Sequence, residues 1–288
     1  MKRLHVVCGP TASGKTAFAI ELALQLHTEI ISADSRQVFR ELPIGSAAPT
    51  AGEQARVPHH LVGHLSVAET YDAAQFAADA DAIIQKLFET HNDVVVCGGS
   101  GLYIQALLFG FDEVPAVPAS LREEVEELFR RRGLPGLHGV LQKLDPEFMA
   151  GSETSNPRRC MRALEVSLFS GRPYSSFKSG PQDPRYDFEI YYPSADRGTL
   201  YKRINERVTK MIEAGLEEEV RNVLPWRAQQ ALQTVGYKEF FLYFGGVYDL
   251  ETCLEEIRKN TRRYAKRQET WFRHQLLGRV NPERVHYF

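Results

Sequence analysis

Gly9, Pro10, Thr11, Ala12, Ser13, Gly14, Lys15 and Thr16 form a complete GxxxxGK[ST] loop directly after an apolar run from Leu4 to Cys8. Beyond the loop, Ala17 to Leu24 reads as helix. A buried strand, a glycine loop and a helix in that order are what a phosphate cradle needs. Successive loop N–H groups turn inward as an anion nest, and the helix N-terminus adds a partial positive charge. Lys15 brings a full charge, and the Thr16 hydroxyl suits a Mg²⁺ ion held by the phosphates. The segment reads as a site for a di- or triphosphate, with Mg²⁺ as the expected cofactor.

A second chemical group stands at Asp34, just beyond an apolar strand over Glu29–Ser32. NTP hydrolases of the P-loop type carry an acid at the end of another strand, where it holds Mg²⁺. Here the best such strand, Asp93 to Cys97, ends in Gly98-Gly99 instead. In an open α/β sheet the carboxyl ends of the strands line the ligand crevice. The P-loop, Asp34 and Gly98–Gly101 are therefore expected to face one pocket. A carboxylate beside a phosphate site but outside the usual metal position suits a general base acting on an acceptor. The plainer alternative is a side chain that caps the following turn.

The elements that must position these groups alternate. Strands at Leu4–Cys8, Glu29–Ser32 and Asp93–Cys97 are separated by helical patterns ending near Leu26 and covering Ala73–Thr90, with another helix starting at about Leu102. That order predicts an α/β fold: a P-loop NTPase-like core whose parallel sheet is flanked by helices. From about Asp112 the pattern changes. Helical segments at Leu121–Arg131, Leu137–Lys143 and Pro157–Ser170 follow one another without strands, then a turn-rich exit leads to a strand at Phe188–Tyr192. Residues 112–184 read as an all-helical insertion domain, with 1–111 and 185–288 as the catalytic core. The remainder is mostly helical and closes with a long helix from about Leu250 to Gln275.

Composition narrows the class. With 43% hydrophobic and 25% charged residues the chain is an ordinary globular protein, and no apolar run approaches the ~20 residues of a membrane span. The first strand starts almost at Met1, so no signal peptide is expected and a cytoplasmic location is the default. Four scattered cysteines without a CxxC pair predict neither a disulfide framework nor zinc. His59 and His60 are placed in a loop after Pro58. The net charge of −2 conceals segregation: Arg258 to Arg273 carries seven Lys or Arg residues against one acid, Glu269. A run of nearly one sign points to a polyanion-binding face, and the alternative is a solvated helix face.

Several separate segments give the chain a resemblance, over essentially its full length, to the tRNA dimethylallyltransferases, also called tRNA isopentenyltransferases. They are GPTASGKT (Gly9–Thr16), ISADSRQVF (Ile31–Phe39), the Ile44–Ala47 turn, GGSGLY (Gly98–Tyr103) and NPRRCMRALEV (Asn156–Val166). LYKRINERV (Leu200–Val208), QTVGYKE (Gln233–Glu239) and NTRRYAKRQETWFR (Asn260–Arg273) follow. The resemblance implies transfer of a dimethylallyl group from dimethylallyl diphosphate to N6 of the adenosine 3′ of the anticodon in tRNA, releasing diphosphate. It makes Lys15 and Thr16 the phosphate and metal residues, Arg207 a second cation on the diphosphate, and Asp34 the acceptor of the N6 proton.

The resemblance further implies contacts to the tRNA anticodon stem-loop. They fall on Asp34, Ser35, Arg36 and Gln37, on Ser100 and Arg122, and on Arg158, Arg159, Cys160, Met161 and Arg162. Gln233, Thr234, Val235, Gly236, Tyr237 and Lys238 continue the set. Lys266, Arg267, Gln268, Glu269, Thr270, Trp271, Phe272 and Arg273 complete it. Arginines suit phosphates, Tyr237 and Trp271 offer stacking faces, and Gln37 and Gln268 suit base edges. Lys259, Arg262, Arg263 and Lys266, at i, i+3, i+4 and i+7, share one helix face and are expected to grip the stem-loop together with Arg158, Arg159 and Arg162. A monomer is expected. Three departures from the family pattern, Ser100 for threonine, Ala48 for lysine and Leu42-Pro43 for Met-Asp, leave Lys15, Thr16, Asp34 and Arg207 untouched. An adenylate isopentenyltransferase would need neither the insertion nor the basic helix. A small-molecule kinase would need an adenine site, and a non-catalytic RNA-binding protein would have no use for a P-loop paired with Asp34.

Overall fold

The computed structural model describes residues 2–180, 182–194 and 196–288. In chain order come β1 (Arg3–Cys8), α1 (Lys15–Leu26), β2 (Ile30–Ser32), α2 (Pro43–Ser46), α3 (Ala51–Arg56), β3 (His59–His60), α4 (Ala73–Leu87), β4 (Asp93–Gly98) and α5 (Gly101–Phe109). Then follow α6 (Ala119–Leu144), α7 (Pro146–Ala150), α8 (Pro157–Ser170), β5 (Phe188–Tyr192), α9 (Arg197–Glu213), α10 (Leu216–Asn222), α11 (Tyr237–Phe244), α12 (Leu250–Trp271) and β6 (Val285–Tyr287). Packing divides the chain into two compact units, residues 1–110 with 184–288, and residues 111–183.

The first unit holds a parallel sheet in the order β3-β2-β4-β1-β5-β6. Side chains of a strand alternate between faces, and both faces here are apolar because helices cover both. Leu4, Val6, Cys8, Val94 and Val96 pack with residues of α4 and α5, while Val7, Ile30 and Val95 pack with Ala19, Ile20 and Ala23 of α1. A separate core beside the sheet gathers Val38, Leu42, Val208, Leu216, Val220, Tyr237, Phe240 and Ile257, so α9 to α12 and the loop after β2 are held as one body. The second unit is helical and has its own core of Val125, Leu137, Leu141, Phe148, Cys160, Ala163 and Leu164.

The α/β class and the parallel sheet agree with the expectation, and four local readings change. The expected helices Leu121–Arg131 and Leu137–Lys143 are two arms of α6 broken at Gly133, where φ is 59° and ψ −162°. His59 and His60 form the edge strand β3, paired with Ile30 and Ile31, where a loop was expected. β6 pairs with Ile190–Tyr192 although its sequence gives no strand pattern. The last helix stops at Trp271 and widens into a π turn over Phe272–Leu276, where Phe272 and Leu276 enter the sheet core. Among the described residues no helix is long and apolar enough to cross a membrane.

Candidate active site

The P-loop leaves β1 and enters α1 through Gly14, whose φ of 91° only glycine adopts easily. Lys15 Nζ donates to the Pro10 carbonyl at 2.6 Å, so the ammonium lies back over its own loop. Burial lowers its pKa, opposed by the nearby Cys97 and Asp34.

Asp34 follows β2. Its Oδ1 accepts the Arg36 N–H at 2.9 Å and closes a tight turn, which leaves Oδ2 outside that turn. Capping and a charged group beside the P-loop are thus compatible in one residue. The Ser35 N–H donates to Ser100 Oγ at 2.8 Å, tying this loop to the one after β4.

Arg207 comes from α9, whose buried stripe Leu200, Ile204 and Val208 fixes its rotation. A guanidinium nitrogen donates to the Ser46 carbonyl at 3.3 Å. Burial lowers the Arg207 pKa, again opposed by Asp34. The turn carrying Ser46 is held from behind by Glu219, which accepts the Ile44 N–H at 2.7 Å, the Gly45 N–H at 2.8 Å and the Tyr237 hydroxyl at 2.6 Å. A Cβ on Gly45 would collide with the Tyr237 ring, so this turn lies flat on it.

These groups open on one pocket. Its polar side is Thr11, Lys15, Thr16, Asp34, Arg36 and Arg207, and its apolar side includes Val208, Met211, Leu216, Val235 and Ile257. Asp34 is the one carboxylate among the described lining residues, facing the cations Lys15, Arg36 and Arg207. Cys97 and Tyr264 also line it, and desolvation, with the Asp34 charge nearby, pushes the thiol up to about 11 and the phenol up to about 12. Tyr264 keeps 37% of its surface exposed, so crowding at its hydroxyl, not burial of the whole ring, is responsible. Neither group ionises near neutral pH, and Asp34 is the pocket's one carboxylate acceptor among the described residues. The cavity therefore suits a polyanion with an apolar tail beside a carboxylate.

A sequence model of the IPP transferase family matches residues 37–275. The chain belongs to the IPP transferase family. It is 46% identical over 272 residues to the tRNA dimethylallyltransferase of Cytophaga hutchinsonii, covering 94% of this chain and 90% of that one. The tRNA dimethylallyltransferase of Christiangramia forsetii is 45% identical over 268 residues, with 93% and 89% covered. Among solved structures, the full-length tRNA isopentenylpyrophosphate transferase of Bacillus halodurans superposes with a TM-score of 0.72 at 35% identity, covering 100% of this chain and 90% of that one. A eukaryotic dimethylallyltransferase acting on tRNA shares the fold, with a TM-score of 0.86 at 24% identity over 100% of this chain and 74% of its own.

In this IPP transferase the residues expected to meet RNA divide sharply. Thr234, Val235, Gly236, Arg36 and Gln37 line the pocket. Gln37 is already engaged there, accepting from Ser32 Oγ at 2.8 Å and donating to the Ala47 carbonyl at 3.0 Å. Tyr237 is buried at 1% exposure and offers no stacking face. Phe272 and Cys160 are buried core residues and present no base-reading group, while Gln268, at 7% exposure, lines the pocket with its amide already engaged by Thr11 and Gly99. Trp271 is half-buried against Gly101, where a Cβ would strike its ring. Gln233 donates to the Arg227 carbonyl at 2.7 Å, while Lys238 and Thr270 are exposed.

The cations on α12 are not equivalent. Lys259 pairs with Glu256 at 2.6 Å, Arg262 bonds Asn205 at 2.9 Å and Glu255 at 3.2 Å, and Arg263 reaches Asn260 at 3.4 Å. Arg263, Lys266, Arg267 and Arg273 have no carboxylate partner among the described residues, and Arg267 lies over the Tyr264 ring at 5.7 Å. The expected four-cation face thus shrinks to Arg263 and Lys266, joined by Arg267 and Arg273. In the helical unit Arg122 and Arg158 are exposed on α6 and α8, Arg159 pairs with Glu153, and Arg162 pairs with Glu165 at 3.6 Å.

Sequence reasoning passed over the apolar wall, Tyr264, Glu219 and Arg203. The Arg203 guanidinium comes within 3.9 Å of where a Cβ on Gly14 would lie. His60 and His64 stand four apart, yet His60 bonds Glu29 at 2.5 Å and His64 lies edge-on to Tyr71. No cluster of three or more His, Cys, Asp or Glu side chains able to hold a metal occurs among the described residues.

The buried Tyr237 hydroxyl supplies a prediction. Tyr237→Phe should destabilise the fold by about 1–2 kcal/mol, the cost of taking one donor from a buried carboxylate, as read by chemical denaturation. Affinity for an anticodon stem-loop should stay within about twofold, whereas a stacking role would cost about 1–3 kcal/mol of binding.

Proposed function

We propose that this chain transfers a dimethylallyl group from dimethylallyl diphosphate to N6 of the adenosine 3′ of the anticodon in tRNA, releasing diphosphate. The observation that carries this reading is a single pocket in which Asp34 faces Lys15, Thr16 and Arg207 across an apolar wall. The diphosphate lies on the P-loop, under Lys15 and Arg207, and the five-carbon tail lies against Val208, Met211, Leu216, Val235 and Ile257. As the carbon–oxygen bond breaks, charge grows on the leaving diphosphate, and the loop amides with the two cations stabilise it. The N6 lone pair forms the new carbon–nitrogen bond, and its proton passes to Asp34. An exocyclic amine is a weak nucleophile, so orientation by Asp34 contributes alongside basicity. The adenosine reaches this pocket by leaving its stack.

Mg²⁺ fits the donor set. The protein offers the Thr16 hydroxyl in the pocket and no three-ligand cage among the described residues, which suits an ion that keeps its waters and takes phosphate oxygens. When bound it would neutralise diphosphate charge. All lining residues come from the α/β unit, and a monomer is proposed as the working form.

Two substitutions separate the roles. Lys15→Ala should slow single-turnover transfer roughly 10²–10³-fold, the scale for removing one preorganised electrostatic contact; near wild-type transfer would sink the diphosphate assignment. Asp34→Asn should slow it by roughly 10²-fold or more with stem-loop affinity little changed, and a defect wholly in RNA binding would make Asp34 a structural contact only.

The unequal cations of α12 give a salt test. Neutralising Lys266 with Arg267 should lower the slope of log affinity against log salt by about 1–2 units. Neutralising Lys259 with Arg262, which already have partners, should change it less. Equal effects of the two double mutants would contradict the division.

A further inference from the structure

On α12 the buried positions are Cys253, Ile257, Ala265 and Gln268, the inward stripe of the helix. Gln268 is the one polar member of that stripe, with 7% exposure. A buried primary amide is tolerated only where its donors and acceptor are satisfied. Its Oε1 accepts the Thr11 N–H at 2.9 Å, and its Nε2 donates to the Gly99 carbonyl at 2.9 Å. One side chain thus joins the P-loop, the loop after β4 and the basic helix. Gly99 is shaped to this contact, since a Cβ there would lie 2.5 Å from Gln268 Nε2.

We propose that Gln268 is a positioning residue for the diphosphate: from the pocket wall it sets the shape of the P-loop by holding Thr11, and its amide, engaged on both sides, does not read the RNA. The proposal rests on the transfer reaction above. Thr11 lies in the loop that cradles phosphate, and its own N–H, turned to Gln268, anchors that loop to a helix that also bears Lys266 and Arg267. Displacing a loop by about an ångström is enough to cost up to roughly 10²-fold in rate. The effect should therefore appear in diphosphate binding and not in RNA affinity.

Gln268→Met keeps length and volume and removes both hydrogen bonds. Gly99→Ala attacks the same contact from the other side without altering α12. Each purified variant and the wild type would be titrated with inorganic pyrophosphate in Mg²⁺ and with an anticodon stem-loop RNA, with melting temperature recorded. Both variants should weaken pyrophosphate binding about tenfold, the scale of two lost buried hydrogen bonds, and raise KM for dimethylallyl diphosphate more than they lower kcat. Stem-loop affinity should stay within about twofold. The double variant should be little worse than either single one, because both break one contact. Loss of stem-loop affinity with normal pyrophosphate binding, or additive effects, would overturn the proposal. A wild-type protein that binds the stem-loop but not pyrophosphate would contradict the transfer reaction itself.

Discussion

The carboxyl ends of β2 and β4 come together so closely that the Ala33 carbonyl occupies the space a Cβ on Gly98 would fill. The Ala33 N–H donates to the Cys97 carbonyl at 2.8 Å, and the Ser100 N–H donates back to the Ala33 carbonyl at 3.2 Å. This backbone approach fixes where Asp34 begins, and β1 beside β4 fixes where the P-loop begins. Because the sheet is parallel, both loops emerge at the same edge. A carboxylate and a phosphate cradle are thereby held in one cavity by main-chain geometry, before any side chain adds to it.

The pocket uses two kinds of wall for two kinds of chemistry. Cations and amides gather where a diphosphate would gain charge, and Val208, Met211, Leu216 and Ile257 gather where an apolar group would avoid water. The second core, in which α9 to α12 pack with the loop after β2, supplies both walls at once. Arg207 and Val208 are neighbours on α9, one turned to Ser46 and the other into that core. Glu219 secures the turn between them and the P-loop side through three hydrogen bonds to groups that would otherwise be buried unpaired.

Much of this was legible because it lies in contiguous segments with one periodicity. The P-loop, β1, β4 and the family segments declare themselves in unbroken runs of the sequence. β3 and β6 did not, since edge strands of two and three residues carry no pattern and exist only through pairing with Ile30–Ile31 and Ile190–Tyr192. Tyr237 resembles a stacking platform in sequence because aromatic side chains look alike there; its ring is buried in the second core and its hydroxyl donates to Glu219, which is distant along the chain. Gln268 was grouped with its cationic neighbours. Counting helically from Ile257 places it on the buried stripe, a signal overlooked beside Lys266 and Arg267. The apolar wall has no linear signature, as Val208, Leu216, Val235 and Ile257 come from four different segments.

The central claim is that one pocket joins an allylic diphosphate to a tRNA adenosine. Nucleoside mass spectrometry of a tRNA incubated with the purified protein, Mg²⁺ and dimethylallyl diphosphate tests it most directly. The account predicts a dimethylallyl group on N6 of the adenosine 3′ of the anticodon, with diphosphate released in equal amount. Prenylation of free AMP in place of tRNA, or unmodified tRNA after prolonged incubation with intact protein, would contradict it.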